Sequence, residues 1–277
     1  MNDPLFTRLL IATLTAALVV ICVFGAAPWL DLAVSAAFTD GAGHFTLAQG
    51  WLPETVNAIL KRTLELWALV CVLIAAGALI WRARPASGLR NWLFLAGSYL
   101  IGPGLIVNMI LKEYVGRARP VQTTAFGGDL QFSPVLQIVD QCVSNCSFTS
   151  GETAMSGAAA FTLAALLWRG DAARRVWVVV GATALTGFTI YMRVALGRHF
   201  ASDALLSVCI VALVVLALYR LLGIGAARAD FTAAALAADA RALRGRLGAL
   251  GDGLLALLPD QVRTRLAQAI SRLTRRP

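Results

Sequence analysis

Apolar residues fill this chain in long runs, not in the stripes of a soluble helix or the alternation of a strand. Six runs read as membrane-spanning helices: about residues 9–30, 66–81, 92–111, 152–168, 176–192 and 204–222. A soluble all-helical fold would need a polar face on each, and most have none. The first run is longer than the apolar core of a cleaved signal and reads as an uncleaved anchor, with Gly25-Ala26-Ala27 leaving cleavage open. The second helix is expected to begin some turns early, after Pro53, and Gly102-Pro103-Gly104 to kink the third. A polar connection carrying Asp31, Asp40, His44 and Glu54 joins the first two spans, and His44 reads as a surface loop residue. Residues 112–150 show little helical patterning, and loops of that length are usually functional or disordered. The predicted fold is all-α: a polytopic six-transmembrane-helix bundle over residues 1–227, followed by a basic amphipathic tail over 228–277.

Composition agrees with that pattern. The chain is 58% hydrophobic and 14% charged, against about 25% charged in a typical soluble domain. Lys+Arg 24 against Asp+Glu 15 gives a net charge of +9. In a membrane protein such an excess belongs to cytoplasmic loops and anionic lipid, not to nucleic acid. Arg8, then Arg82, Arg84 and Arg90, then Arg169, Arg174 and Arg175, then Arg220 and the tail fall on one side of a six-span layout. By the positive-inside rule that side is cytoplasmic, which places both termini inside and the protein in an inner (plasma) membrane. The basic residues left on the outer, periplasmic or extracellular side are Lys61, Arg62, Lys112, Arg117, Arg119, Arg193 and Arg198. They cluster, and clustered exceptions point to a site.

Cys142 and Cys146 lie on that outer side, either as a disulfide or as a pair of thiols. In the tail, Leu243, Leu247, Leu250, Leu254 and Leu257, then Val262, Leu266, Ile270 and Leu273, recur at helical steps between arginines. Two short helices on the anionic inner leaflet, broken at Pro259, fit that pattern; a partner protein is the other reading. The sequence leaves oligomeric state open.

Three outer clusters carry candidate chemistry. Lys112 to Pro120 holds Lys112 and Arg119 seven residues apart, one above the other if the helix continues. Ser150-Gly151-Glu152 opens a helix with a hydroxyl, free backbone N–H groups and the positive end of the dipole, which suits an anion. Arg193 to Asp203 places His199 and Asp203 four apart, within hydrogen-bonding reach on a helix, beside two arginines that match a phosphate or carboxylate. Taken singly, each also reads as an interfacial cluster of charges with no chemistry.

Lys112 to Pro120 matches KxxxxxxRP, Thr149 to Glu152 resembles PSGH with two changes, and Arg193 to Asp203 matches RxxxxxHxxxD. A leading serine of the last pattern is replaced by Met192. In order and spacing these resemble the type 2 phosphatidic acid phosphatase superfamily, whose membrane members include bacterial lipid phosphatases. The resemblance implies that His199 is a nucleophile carrying a transient phosphohistidine, oriented and charge-stabilised by Asp203. It implies that Lys112, Arg119, Arg193, Ser150 and the Gly151 amide bind phosphate, without a cofactor or metal. Arg117 and Arg198 fall in variable positions, with contact to substrate or headgroup as a guess.

Glu152 departs from the pattern, standing where the resemblance expects a histidine that protonates the leaving group. A glutamate is ordinarily ionised at neutral pH. Three readings stay open: a general acid tuned by bound phosphate, a residue recognising the substrate, or a sign of weakened activity. The implied activity is hydrolysis of a lipid phosphate or diphosphate at the outer face, by a metal-independent phosphatase. Candidate substrates are undecaprenyl diphosphate, phosphatidylglycerophosphate, phosphatidic acid and lipid A. A lipid-to-lipid phosphotransferase would use the same site, and a non-catalytic binder of lipid phosphates is the rival from another class.

Overall fold

The computed structural model describes residues 4–257 and residue 262. Eight helices of at least eight residues carry the fold: α1 Pro4–Ala26, α2 Trp29–Ala36, α3 Trp51–Ile80, α4 Leu89–Tyr114, α5 Gly151–Leu167, α6 Ala172–Ala195, α7 Ala201–Leu221 and α8 Ala233–Ala256. No strand occurs among the described residues. α1, α3, α4, α6 and α7 are long and apolar enough to cross a membrane, by length and composition; α5, with 17 residues, is a shorter apolar helix. Exposed Trp29, Trp51 and Tyr114 at one end, and Trp81 and Trp177 at the other, fit the aromatic belts of a bilayer's two interfaces.

α5 packs against both α6 and α7, and α1 lies along α7. Its inward face is small: Ala154, Gly157, Ala158, Ala159 and Ala160 are buried, which lets neighbouring backbones approach closely. Trp92, Phe94, Leu95, Tyr99, Leu166 and Val211 fill the core beside it. The expected interruption of the third span is a change of winding, with Leu100–Leu111 of α4 π-helical around Pro103. A proline lacks the N–H for the ordinary i→i−4 ladder, and local π winding absorbs the break. α3 already includes Pro53 in its first turn, where a missing N–H costs nothing.

Between α4 and α5 the chain has only two short 3-10 turns, Pro120–Gln122 and Thr124–Phe126. The rest of that segment runs across one end of the bundle. Phe45, Phe126 and Phe200, with Phe132 against them, pack beneath it.

The tail departs from a free surface helix. Leu236 and Leu243 of α8 pack on the bundle core. The Asp239 carboxylate is fastened to the α3–α4 connection by Ala86 N (2.7 Å), Ser87 N (3.1 Å), the Ser87 hydroxyl and Trp92 Nε1 (2.9 Å). The helix break at Pro259 and the second tail helix through Leu266, Ile270 and Leu273 lie outside the described residues.

Candidate active site

All three sequence clusters meet at the end where α4 and α6 finish and α5 and α7 begin. Lys112 sits in the last turn of α4, and Arg193 in the last turn of α6. Ser150 is the N-cap of α5, followed by Gly151 and Glu152, while Asp203 lies in the first turn of α7. His199 occupies the turn between α6 and α7, where the Arg198 and His199 amides both donate to Arg193 O (3.0 and 3.2 Å). Gly197 makes that turn possible: its φ is +64°, and a Cβ there would come within 2.5 Å of the Phe45 ring.

His199 is 1% exposed, and its Nδ1 lies 2.7 Å from Ser147 O. A carbonyl only accepts, so Nδ1 carries the proton and Nε2 keeps its lone pair. Burial, and then the charges of Arg193, Lys112 and Arg119, hold its pKa well below the ordinary 6.5. The resting ring is a neutral base among cations.

Here the structure corrects the direct Asp203–His199 contact expected from the i,i+4 spacing. No hydrogen bond joins them. Asp203 Oδ2 accepts from Ser147 Oγ (2.5 Å) and Phe200 N (3.1 Å), and Oδ1 from Arg117 Nη1 (2.5 Å). The carboxylate therefore reaches the imidazole through Ser147, whose hydroxyl it holds and whose carbonyl holds the ring. His199 precedes α7 in non-helical backbone, so the helical spacing argument does not apply to it.

Arg117 is corrected too. It is wholly buried, pairs with Asp203 and Asp31, donates from Nε to Ser133 O (2.9 Å), and lies over the Phe200 ring at 4.4 Å. Burial opposes its charge, but Asp203 and Asp31 outweigh burial and raise its pKa above the ordinary arginine value. Such a side chain is scaffold and not a contact for substrate. Asp31, read from sequence as part of a polar connection, is 1% exposed.

Lys112 and Arg119 do not share a helix, because α4 ends at Tyr114 and Gly116 turns the chain at φ +67°. They meet through Asn145, which accepts from Lys112 Nζ at Oδ1 (3.0 Å) and from Arg119 Nη2 at its backbone carbonyl (2.7 Å). Asn145 sits inside the small loop closed by the Cys142–Cys146 disulfide, which is formed. Arg193 Nη1 pairs with Glu152 Oε2 at 2.9 Å. The Asn57 amide bridges the two, donating to Glu152 Oε2 (3.1 Å) and accepting from Arg193 Nη1 (3.3 Å). Arg198 pairs with Glu54 (3.0 Å), half-exposed, at the rim.

Ser150 Oγ accepts from Thr153 N (3.3 Å) and Thr153 Oγ1 (2.8 Å), so its own O–H remains a donor. A Cβ at Gly151 would lie 2.6 Å from Asn108 Oδ1, so any side chain there would displace the Asn108 amide. Arg193 Nε and Thr149 Oγ1 are buried without a hydrogen-bond partner in the protein, a costly state for either group. Sequence reasoning passed over Ser147, Asn145, Asn57 and Asp31. Only Asp31 left a signal, as a lone acid following an apolar run.

Comparison with known proteins fits this geometry. Residues 91–224 match the model of the PAP2 superfamily. The chain is 44% identical over 110 residues to a lipid A 4'-phosphatase of Rhizobium leguminosarum, covering 40% of this chain and 46% of that protein. It is 46% identical over 110 residues to one of Rhizobium etli, covering 40% and 41%. It is 33% identical over 137 residues to one of Francisella tularensis subsp. novicida, covering 50% and 60%. The chain thus spans about half the length of the curated relatives it matches. No solved structure matches it. Lys112, Arg119, Ser150, Arg193, His199 and Asp203 all lie inside residues 91–224, the segment that is similar to the PAP2 superfamily.

Proposed function

We propose that this chain is a membrane lipid phosphatase that works through a phosphohistidine on His199, with lipid A bearing a 4'-phosphate as the leading substrate. One observation carries the reading: a buried neutral imidazole, its Nδ1–H tied to Ser147 O, stands amid Lys112, Arg119 and Arg193. The substrate comes from the relatives, each a lipid A 4'-phosphatase.

In the first step Nε2 forms a bond to phosphorus while the P–O bond to the lipid breaks. The leaving oxygen keeps the electron pair and takes a proton from water. Water then attacks phosphorus, the P–N bond returns its pair to Nε2, and inorganic phosphate departs. Lys112, Arg119 and Arg193 neutralise charge on the phosphoryl oxygens, which usually dominates such catalysis. Arg193 Nε, Thr149 Oγ1, the Ser150 hydroxyl and the Gly151 amide are donors for the same oxygens. With cations in that role, no metal enters the scheme. Glu152 must release Arg193 as phosphate arrives, and is then free to face the leaving group.

The arginine distribution supports a site at the outer face with both termini inside, and Arg241, Arg244 and Arg246 of α8 suit the anionic inner leaflet. The test is phosphate release by purified protein from lipid A, phosphatidic acid, phosphatidylglycerophosphate and undecaprenyl diphosphate, with His199→Ala alongside. Release from lipid A that falls by about 10⁴-fold or more in the variant is expected. Absence of turnover by the intact protein on every lipid overturns the reading in favour of a binder of lipid phosphates.

A further inference from the structure

His199 is tied, group by group, to a carboxylate outside the family-matched segment. Asp31, on α2, accepts at Oδ2 from Arg117 Nη2 (2.8 Å) and Ser202 Oγ (2.5 Å), and at Oδ1 from Ser202 N (3.0 Å). Arg117 Nη1 donates in turn to Asp203 Oδ1 and to Ser202 Oγ (2.9 Å). Asp203 holds the Ser147 hydroxyl, and Ser147 O holds His199 Nδ1. Asp31, Arg117, Ser147, Ser202, His199 and Asp203 are all 0–1% exposed.

Each hydrogen-bond partner of the Asp31 and Asp203 side chains is a guanidinium, a backbone amide or a serine hydroxyl, all able to donate. Two acids face one guanidinium, so Arg117 can balance only one unit of negative charge between them. A buried uncompensated charge is costly, and folding alone gives no reason to keep it. Phosphoryl transfer supplies a reason. When Nε2 bonds to phosphorus while Nδ1 retains its proton, the ring becomes a cation at the end of this chain of groups.

We infer that Asp31 is a positioning residue of the reaction: it seats Arg117 against Asp203 and provides the negative charge that balances the cationic ring of the phosphorylated His199. The inference rests on the reading of His199 as nucleophile. It also means that residues 91–224 do not contain the whole apparatus of this site. The alternative is a mechanical pin joining α2 to the start of α7.

Asp31→Asn separates the two, because it retains size and one acceptor oxygen but removes the charge. The expected result with lipid A as substrate is a kcat lowered about 10²-fold with KM within about threefold. Inhibition by orthovanadate, which bonds through the imidazole, weakens in parallel, whereas inhibition by inorganic phosphate, which needs only the cations, does not. Ser202→Ala removes one hydrogen bond from Asp31 and one from Arg117, leaves the Ser202 amide on Asp31, and removes no charge; its kcat is expected to fall several-fold, less than that of Asp31→Asn. Unchanged kcat and vanadate inhibition in Asp31→Asn overturn the inference, as does equal loss in both variants with phosphate and vanadate weakened alike. Should Asp31→Asn not accumulate as folded protein, Ser202→Ala decides alone, and wild-type kcat there overturns the inference. A wild-type protein that releases no phosphate from any lipid defeats the phosphatase reading itself, a result distinct from these.

Discussion

A buried aspartate sits at each end of this bundle, and the two are solved differently. Asp239 at the tail end is ringed by neutral donors: two backbone amides, a serine hydroxyl and an indole N–H. Asp203 at the other end faces a guanidinium that it shares with Asp31, and its remaining oxygen holds the serine that holds His199. The first arrangement ends at Asp239, which fastens α8 to the α3–α4 connection and touches nothing that reacts. The second passes on through Ser147 to the imidazole proposed as the nucleophile. A neutral ring of donors suffices to anchor a helix, whereas the shared ion pair is part of a hydrogen-bonded chain that ends at an imidazole.

The sharpest way to break the comparison is to neutralise each acid in turn. Asp203→Asn is expected to lower kcat about 10³-fold with the protein still folded, measured by phosphate release. Asp239→Ala is expected to leave kcat within about twofold but to cost about 1–3 kcal/mol of stability, since it strands several buried donors. Thermal unfolding in detergent reads that cost. Equal activity losses in the two variants would make both ends structural and erase the distinction.

A smaller effect is expected at Asn145, which joins Lys112 to Arg119. Asn145→Ala should raise KM about tenfold at little change in kcat, because the phosphate-binding cations lose their common partner. Reduction of the Cys142–Cys146 bond should act in the same direction. A kcat loss with KM unchanged would place Asn145 in the chemical step.

The smallest effects are in pH. His199 has a lowered pKa, so between pH 6.5 and that lower value the unfolded chain takes up a proton that the folded chain refuses. Stability is therefore full above about pH 6.5 and falls on acidification. His199→Gln should lose less thermal stability than the parent between pH 7.5 and pH 5.5, and an equal loss would contradict a buried neutral ring. Asp239 has a profile of the same sign in a lower pH window. Burial pushes its pKa up, but the Ser87, Trp92 and Ala86 donors outweigh burial and lower it. Its contribution is present above the ordinary carboxylate range and is lost only as pH falls through the lowered value.

Much of the site was legible because its residues carry strong local signals. Lys112, Arg119, Arg193 and His199 are charges or a rare histidine at the edges of apolar runs, and Ser150-Gly151 marks a helix start. Arg117 gave the same signal as its neighbours and was misread, because spacing does not tell a cation facing substrate from one buried between two acids. Asn145 and Asn57 were invisible because an amide has no expected partner until a fold supplies one.

The sequence by itself determined the apolar runs, their all-helical state and the identities of the charged groups that gather at the candidate site. Those follow from the burden of unpaired backbone and charge in lipid, which is local. Only the tertiary structure decided that Ser147 stands between Asp203 and His199, that Asp31 shares Arg117, and that α8 is fastened by Asp239. Each of these is a buried polar contact between segments far apart in the chain. Buried polar groups must find partners wherever the packing brings a donor and an acceptor together, and no periodicity records that choice.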